Sequence, residues 1–245
     1  QSYYDFELII ADDGSTNETK NLIEKFQSEF KNPIIHVWQK DEGFQKTKIL
    51  NKAIIKASCD YILFSDGDCI PRNDFVATHV KYQKKGNFLS GGYFKLNDFV
   101  SNSISEVDIK NQSCFKTKWL LENGLKWNFK LIKLTKNKFF AYFMNWITPT
   151  KKTFNGHNTS CFKEDLIAVN GFNEDMKYGG LDRELGERLF NLGILSKQIR
   201  YSAICIHLDH ERGYFSQEEW NKNLEIRNYN IKHNIIKIKN GIEKL

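Results

Sequence analysis

The sequence lacks the patterns by which a chain crosses a membrane, forms a disulfide framework or holds a structural zinc ion. No apolar run in the chain approaches the roughly 20 residues that a transmembrane helix needs. The five cysteines are scattered and odd in number, and no two of them form a C-x-x-C pair. These features favour reduced thiols and a cytoplasmic protein.

The sequence also lacks motifs that are typical of nucleic-acid-binding proteins and of nucleotidyltransferases. No zinc-finger or RNP-like pattern accompanies the lysines behind the formal net charge of +6, which argues against nucleic acid as a partner. No glycine-rich phosphate loop with a basic partner is present, which argues against a nucleotidyltransferase. The chain shows no signal peptide and does not begin with Met, and its first residues lead directly into a strand, so we expect a missing start.

The first third of the chain has the β-α-β-α-β order that is typical of a parallel sheet with right-handed crossovers. Strands are predicted at residues 6–11, 34–38 and 61–65. Ser15 and Glu18 form an S-x-x-E capping box for the first helix. One face of the first helix carries the apolar residues Leu22, Ile23, Phe26 and Phe30. The predicted inward face of the second helix consists of Ile49, Leu50, Ala53, Ile54 and Ala57. A helix at about 71–84 and a strand at 88–94 are predicted to follow.

Two of these three strands end in carboxylates, at Asp12-Asp13 and at Asp66-Gly67-Asp68. Open α/β sheets bind ligands at the carboxyl ends of their strands. Residues i and i+2 face the same side, so Asp66 and Asp68 can face one hard cation. An isolated Asp-Gly-Asp is more often an acidic turn after a buried strand. A phosphotransferase with the first Asp as nucleophile is another interpretation, but it gives the remaining acidic motifs no role.

Residues 101–152 are rich in lysine and in interleaved aromatic residues, among them Trp127, Phe139, Phe143 and Trp146. The pattern indicates a helical insertion whose basic, aromatic face touches a membrane interface or a lipid-linked substrate. The alternative is that the aromatic side chains pack the insertion onto the core and the lysines are solvated.

The second half of the chain adds residues suited to phosphate and hydroxyl chemistry. A predicted strand at 203–206 leads into His207 and His210, and Asp182 lies in the first turn of a predicted helix. A cation held by carboxylates and an imidazole neutralises charge on a leaving diphosphate. A separate carboxylate can deprotonate an attacking hydroxyl. The alternatives are a core histidine at His207 and a helix-stabilising carboxylate at Asp182.

Six motifs in this order resemble the family 2 glycosyltransferases, in particular the bacterial subgroup related to chondroitin-polymerase and galactosyltransferase modules. They lie at residues 6–16, 41–54, 61–75, 156–172, 178–189 and 207–210. The resemblance implies an α/β GT-A (Rossmann-like) nucleotide-sugar-binding fold. It also implies a mainly parallel central sheet flanked by helices, with the first β-α unit, about 30 residues in an ordinary unit of this kind, missing here.

The resemblance also implies roles for individual residues. Asp12 or Asp13, with a slight preference for Asp13, would contact the uracil of a UDP-sugar. Asp66, Gly67 and Asp68 would form the D-x-D motif, and Lys46 or Lys48 would support the diphosphate. The metal, Mn²⁺ or Mg²⁺, would be held by Asp66, Asp68 and His207, and Asp182 would be the general base. The acceptor-side candidates are His157, Asn158, Gly179, Gly180 and His210.

Three departures accompany the resemblance: the missing start, Leu181 in place of the Glu that usually precedes the base, and Gln45 and Leu50 where relatives often carry Arg. A fragment, a truncated chain or a degenerate enzyme would each explain them. We divide the chain into a donor half at 1–98, the insertion at 99–152, an acceptor and catalytic half at 153–215 and a helical tail at 216–245.

The predicted function is inverting, metal-dependent sugar transfer from a UDP-sugar to a glycan or lipid-linked acceptor in surface polysaccharide or lipopolysaccharide synthesis. The predicted location is the cytoplasm, with peripheral contact at the inner face of the membrane. The alternative is a truncated sugar-nucleotide-binding module without turnover.

Overall fold

The structure, a computed structural model, describes residues 1–151, 153–210 and 215–244. The strands are β1 Leu8–Asp12, β2 Ile34–Trp38, β3 Tyr61–Phe64, β4 Cys69–Pro71, β5 Asn87–Ser90, β6 Gly92–Lys95, β7 Thr159–Phe162, β8 Leu195–Gln198 and β9 Ile204–His207. The α-helices are α1 Asn17–Glu29, α2 Lys46–Lys56, α3 Phe75–Tyr82, α4 Asp98–Ser103, α5 Glu106–Lys110, α6 Thr117–Glu122, α7 Lys138–Ile147, α8 Lys163–Ala168, α9 Leu181–Asn191 and α10 Gln217–Lys232. Short 3₁₀ helices lie at Ser113–Phe115, Phe129–Leu134 and Ile242–Lys244.

The strands form three sheets of mixed direction. Strands β1 and β2 pair in parallel, as the β-α-β pattern predicts. A second sheet has the order β3-β7-β5-β8, and β5 and β7 are antiparallel. In the third sheet, of order β4-β9-β6, β9 is antiparallel to β4 and parallel to β6. The α/β fold class is therefore confirmed, but β3 pairs with β7 and the sheets are mixed.

The chain divides into two compact units. The first comprises the described parts of Gln1–Tyr3, Leu63–Ser160 and Ser196–Arg212. Its larger hydrophobic cluster joins β4, β6 and β9 to the helices that follow β6, and its buried members include Phe94, Val100, Leu120, Leu131 and Ile204. Residues 99–134 are thus anchored on this unit by apolar side chains of α4, α6 and the first two 3₁₀ helices.

The second unit comprises the described parts of Tyr4–Ile62, Cys161–Leu195 and Gly213–Leu245. Helix α9 crosses its interior with a fully buried ion pair, in which Arg188 Nε lies 2.7 Å from Glu184 Oε1. Arg188 also donates to the backbone carbonyls of Val169 and Gly171, and Asn230 of α10 donates to Glu184. These partners satisfy a charge pair that would be costly to bury alone.

Helix α1 differs from its prediction at its N-terminus. The predicted capping box is wrong, because the N-cap is Thr16 without a side-chain cap and the Ser15 N–H donates to Asp12 instead. The helix itself is present, but it contains no buried residue, and Leu22 on its apolar face is 53% exposed. Periodicity identified the helix correctly, but only tertiary contacts decide whether an apolar face is covered.

Other boundaries shift as well. Residues 69–71 form β4, so the following helix begins at Phe75, and Gly91 separates the strand predicted at 88–94 into β5 and β6. A side chain at Gly91 would overlap that of Asn158, with its Cβ 1.9 Å from Asn158 Oδ1. The strand predicted to be fully buried, β3, is fully covered only at Phe64. No helix in the described residues is long and apolar enough to cross a membrane.

Candidate functional site

The D-x-D segment and the late histidines lie side by side in the first unit. Asp68 follows β3 and precedes β4, and His207 ends β9, which pairs with β4 so that Cys69 is opposite His207. Asp68 Oδ2 lies 3.5 Å from His207 Nε2 and 2.8 Å from His210 Nε2. The antiparallel register of β4 and β9 therefore brings one carboxylate to two imidazoles.

The atoms of this cluster suit a divalent cation. His207 Nδ1 is 2.7 Å from the Leu208 carbonyl and donates to it, which leaves the Nε2 lone pair available on the side of Asp68. Asp68 Oδ1 is buried and has no hydrogen-bond partner among the described residues. A carboxylate oxygen and an imidazole nitrogen are ligands that Mn²⁺ accepts. An unsatisfied buried oxygen beside a free lone pair therefore fits a bound cation.

Cys69 belongs to the same cluster, since its Sγ and ligand atoms of Asp68 and His207 all lie within 4.8 Å of one another. Its hydrogen bond with Cys205, followed by burial and the nearby carboxylates, raises the pKa of the Cys69 thiol. Without a metal ion the thiol is therefore protonated, and a cation would have to displace its proton to bind the sulfur, unlike the oxygen of Asp68. The donors that need no deprotonation are a carboxylate oxygen and an imidazole nitrogen, which suit a divalent cation such as Mn²⁺.

His157 lies close to this cluster but has a different environment. Its ring centroid is 4.7 Å from that of Tyr93 and 6.3 Å from that of His207. Burial lowers the pKa of His157 to about 4, although the Asp66 carboxylate acts in the opposite direction. His157 is therefore neutral at pH 7. Its Nε2 is buried and has no hydrogen-bond partner within the described chain.

Asn158, an acceptor-side candidate, has structural contacts instead. Its Nδ2 donates to the carbonyls of Gly92 and Ala203, at 2.7 and 3.1 Å, and its Oδ1 lies 2.8 Å from His79 Nε2. The side chain is fully buried. All of its polar atoms are thus used to join strands and helix α3, and an acceptor role for Asn158 stays a prediction without a supporting contact.

In the second unit, Asp12 and Asp13 end β1 in different environments. Asp12 is buried and accepts from the Ser15 N–H and from His36, each at 2.8 Å. Burial alone would raise the pKa of Asp12, but these hydrogen bonds outweigh it and lower the pKa. Asp13 is only half-buried and accepts from Gln39 Nε2 and the Gln45 N–H. Asp13 is therefore the more accessible carboxylate, and its oxygens retain unused lone pairs.

The other predicted residues of this unit lie near helix N-termini. Lys46 and Lys48 are half-buried in the first turn of α2, where a helix favours anions. Asp182 is half-buried in the first turn of α9. Gly179 and Gly180, with φ of 110° and 78°, form the left-handed turn that begins α9. Only glycine suits this turn well, because L residues with side chains rarely adopt such angles.

Comparison with known sequences identifies the family. Residues 1–142 match the model described as glycosyl transferase family 2, which is more than half of the 245 residues. The chain belongs to glycosyl transferase family 2. Residues 138–211 of this glycosyltransferase also match the model described as the N-terminal domain of galactosyltransferase.

Curated relatives of this family 2 glycosyltransferase are longer proteins. It is 25% identical to a chondroitin synthase of Escherichia coli in an alignment 222 positions long, gaps included, that covers 84% of this chain and 31% of that protein. It is 26% identical to the uncharacterized glycosyltransferase YfnE of Bacillus subtilis (strain 168) in an alignment 253 positions long, gaps included, that covers 90% of this chain and 61% of YfnE. The chain thus spans 31% and 61% of the length of these two relatives.

Solved structures share the fold of this family 2 glycosyltransferase. Staphylococcus aureus TarS 1–349 in complex with UDP-GlcNAc has a TM-score of 0.57 at 13% identity, covering 94% of this chain and 61% of that chain. The mannosyltransferase PcManGT from Pyrobaculum calidifontis, in complex with GDP-Man and Mn²⁺, has a TM-score of 0.53 at 17% identity. That match covers 85% of this chain and 49% of that chain. The GT-A fold predicted from the sequence is therefore confirmed.

Two aromatic residues that the sequence did not single out contact the predicted site residues of this glycosyltransferase. Tyr93 packs against His157 and, with ring centroids 5.9 Å apart, against His207. Trp220 of α10 covers the turn before α9, since a Cβ on Gly179 would lie 2.6 Å from its Cε3. The Gly91-Gly92 pair before Tyr93 was a signal of close approach, but nothing local distinguishes Trp220 from other surface aromatics.

Proposed function

We propose that this domain catalyses inverting, metal-dependent transfer of a sugar from a UDP-sugar to a hydroxyl of a glycan or lipid-linked acceptor. We place the reaction in the synthesis of bacterial surface polysaccharide or lipopolysaccharide, at the cytoplasmic face of the membrane. The observation that carries the proposal is the pairing of Asp68 with His207, with a buried Asp68 oxygen that lacks a partner in the described chain. The UDP-GlcNAc and Mn²⁺ named for solved structures of the same fold support it.

In this proposal the donor is held through its nucleoside and its phosphates. Asp13 accepts a hydrogen bond from the imide N–H of uracil, and Asp12 supports the loop that presents Asp13. Lys46 and Lys48, at the start of α2, attract the diphosphate. Asp68 and His207 hold the cation, and Asp66 assists them. When bound, the cation supplies Lewis-acid stabilisation of the negative charge on the leaving diphosphate.

Asp182 is the proposed general base. The acceptor oxygen forms a bond to the anomeric carbon while the bond from that carbon to the diphosphate breaks, and the hydroxyl proton passes to the Asp182 carboxylate. A single displacement of this kind inverts the anomeric configuration. His157, which burial keeps neutral, and the Gly179-Gly180 turn remain acceptor-side candidates in this proposal.

The proposal includes peripheral membrane contact through α7. Between Asn123 and Lys152 the sequence has seven lysines and no acidic residue. All five aromatic side chains of α7 are exposed, with Phe139 88% and Trp146 79% exposed, and Phe140, Tyr142 and Phe143 between them. Aromatic side chains favour the membrane interface, and each nearby lysine adds roughly 1 kcal/mol of attraction to anionic lipid. An anionic membrane surface therefore suits both features.

Calorimetric titration with UDP and Mn²⁺, together with a sugar-release assay, tests the enzymatic proposal. Asp68→Asn should weaken Mn²⁺-dependent UDP binding by more than about 100-fold, since even outer residues of metal sites contribute 10- to 100-fold. Asp182→Asn should keep UDP binding and lower transfer by about 100- to 10,000-fold. Asp5→Asn, which removes an exposed carboxylate, is the matched control and should change neither.

Three outcomes would count against the proposal. UDP binding that is the same with and without Mn²⁺ would show that the proposed metal site is wrong. Sugar transfer at the parental rate by the Asp182→Asn variant would show that Asp182 is not the general base. Tight metal-dependent UDP binding without transfer from any of a panel of UDP-sugars, measured in the full-length protein, would favour the non-catalytic binding module.

A further inference from the structure

Two cations of the first unit lie near the histidine cluster, and no carboxylate among the described residues forms an ion pair with either. Lys133 belongs to the 3₁₀ helix Phe129–Leu134, and Arg200 follows the buried Ile199. Both side chains are half-buried. Within residues 1–151, 153–210 and 215–244, neither forms an ion pair with a carboxylate. Arg200 Nη2 donates to the Lys151 carbonyl at 3.0 Å, but its buried Nε has no hydrogen-bond partner in this part of the chain.

The fold holds both cations around the ring of Tyr93. Leu131 and Leu134, on either side of Lys133, are buried in the larger hydrophobic cluster, and Lys133 Nζ lies 5.7 Å from the Tyr93 ring centroid. Arg200 is fixed through its backbone, because a Cβ on Gly92 would lie 2.2 Å from the Arg200 carbonyl oxygen. Tyr93 in turn contacts His157 and His207. The Arg200 charge lies close enough to Lys133, Tyr93 and His157 to act electrostatically on the pKa of each or to be acted on by it. Both cations therefore lie near the ring that borders the candidate metal site.

The two positive charges are in an unfavourable environment without a ligand. Burial, then the Arg200 and Lys130 charges, lowers the pKa of Lys133, and burial lowers the pKa of Arg200. Like charges that are partly removed from water and have no counter-ion cost free energy. Exposed lysines elsewhere on the insertion avoid this cost by facing solvent. A pair held in this way is typical of a site that binds an anion.

We propose that Lys133 and Arg200 form an anion subsite, which binds the phosphate or carboxylate oxygens of a substrate beside Tyr93. The inference rests on the proposed function, because it makes the anion part of the donor or of the acceptor. The guanidinium plane of Arg200 can donate two parallel hydrogen bonds to such a group, and Lys133 adds a point charge. The source is either the diphosphate of the nucleotide sugar or the carboxylate of an acidic acceptor sugar.

Titration of the full chain with two probes, pyrophosphate and glucuronate, separates the two sources. Lys133→Met and Arg200→Gln should each weaken binding of one probe by about 10-fold or more, the loss expected for a charged hydrogen bond. A loss of affinity for pyrophosphate assigns the subsite to the donor, and a loss of affinity for glucuronate assigns it to the acceptor. Lys130→Met, on the same 3₁₀ helix but exposed, is the matched control and should bind both probes like the parent.

A further variant and a salt titration separate a loss of the positive charge from a loss of folding. The Lys133→Arg variant keeps the charge, and its affinity for the probe should stay within about threefold of the parent's. If the lysine had a purely structural role, Lys133→Arg would bind the probe as weakly as Lys133→Met does. Binding by the parent should weaken as salt rises. Unchanged affinity for both probes in Lys133→Met and Arg200→Gln, or no binding of either probe by the parent, would overturn the subsite.

Failure of the anion subsite and failure of the proposed function give different results. If Asp68→Asn abolishes UDP binding while Lys133→Met and Arg200→Gln bind both probes like the parent, the proposed function stands and the subsite is wrong. If the two variants lose probe affinity in a protein that transfers no sugar, the subsite stands and the enzymatic proposal is wrong.

Discussion

Asn158 was predicted from the sequence as an acceptor-side residue, but in the structure its buried side-chain amide connects separate elements of the fold. It follows His157 in a motif that suggested the acceptor side. In the structure it joins the start of β6, the segment before β9 and His79 of α3. Removing such a residue leaves polar groups unsatisfied in a site that water does not reach.

Asn158→Ala should therefore lower the free energy of unfolding by about 2–3 kcal/mol, from the lost hydrogen bonds and the cavity left behind. Urea denaturation measures the change. Asn102→Ala removes an exposed amide and should change stability by less than about 0.5 kcal/mol. A stable Asn158→Ala protein with weakened acceptor binding would instead support the acceptor role.

At the scale of elements, α7 differs from the helices around it. Its N-terminus is capped, since Asn137 Oδ1 accepts from the N–H groups of Phe139 and Phe140. Ala141 is its one buried residue, and most of its aromatic side chains face outward. The neighbouring Leu120 of α6 and Leu131 and Leu134 of the 3₁₀ helix are buried in the core. The segments before α7 are therefore anchored in the core by apolar side chains, whereas contact of the exposed face of α7 with a membrane stays a prediction.

The exposed face of α7 leads to an expectation for lipid binding. The parent should co-sediment with vesicles containing phosphatidylserine more strongly than with phosphatidylcholine vesicles, and less at high salt. Replacing Phe139 and Trp146 together by Ser should lower the bound fraction by about 10-fold or more, because two large apolar surfaces leave the interface. Tyr4→Ser, which removes an aromatic that is 71% exposed elsewhere, is the control.

Equal binding of the parent to both kinds of vesicle, or parental binding by the double variant, would contradict the membrane contact. If the protein binds neither kind of vesicle but sedimentation velocity shows that it self-associates through α7, a second copy of the chain covers this face.

At the scale of the whole molecule, stability should depend on pH through buried histidines. His79 is fully buried between Ser160 Oγ and Asn158 Oδ1, and burial lowers its pKa to about 4. An unfolded histidine titrates near pH 6.5, so between pH 7 and pH 5 the unfolded state binds more protons than the folded state. Stability therefore falls as the pH falls through this window.

The expected loss from His79 between pH 7 and pH 5 is roughly 2 kcal/mol. Urea denaturation at the two pH values measures it. His79→Gln should flatten this dependence by about that amount, although His157, whose pKa burial also lowers to about 4, continues to contribute. His233→Gln, at an exposed position, should leave the dependence unchanged. A parent equally stable at pH 5 and pH 7 would show that neither histidine is neutral in the folded state.

Much of the candidate site is predictable because it depends on short-range patterns. The carboxylates Asp12, Asp13, Asp66 and Asp68 were placed after strands from apolar runs and turn residues, and the structure has β1 and β3 in those places. The parallel pairing of β1 with β2 also followed from their order. The capping box at Ser15 was wrong, since the Ser15 N–H donates to Asp12 instead, and the exposure of the apolar face of α1 depends on tertiary contacts that periodicity does not report.

The sequence by itself determined the family, the order of elements and the strand-end carboxylates, because motifs and periodicity act over a few residues. Only the tertiary structure decided that β4 and β9 bring Asp68 to His207 and His210, and that Tyr93, Lys133 and Arg200 lie beside them. Those residues come from four separate segments, and strand register and core packing, which connect distant parts of the chain, have no local signature in it.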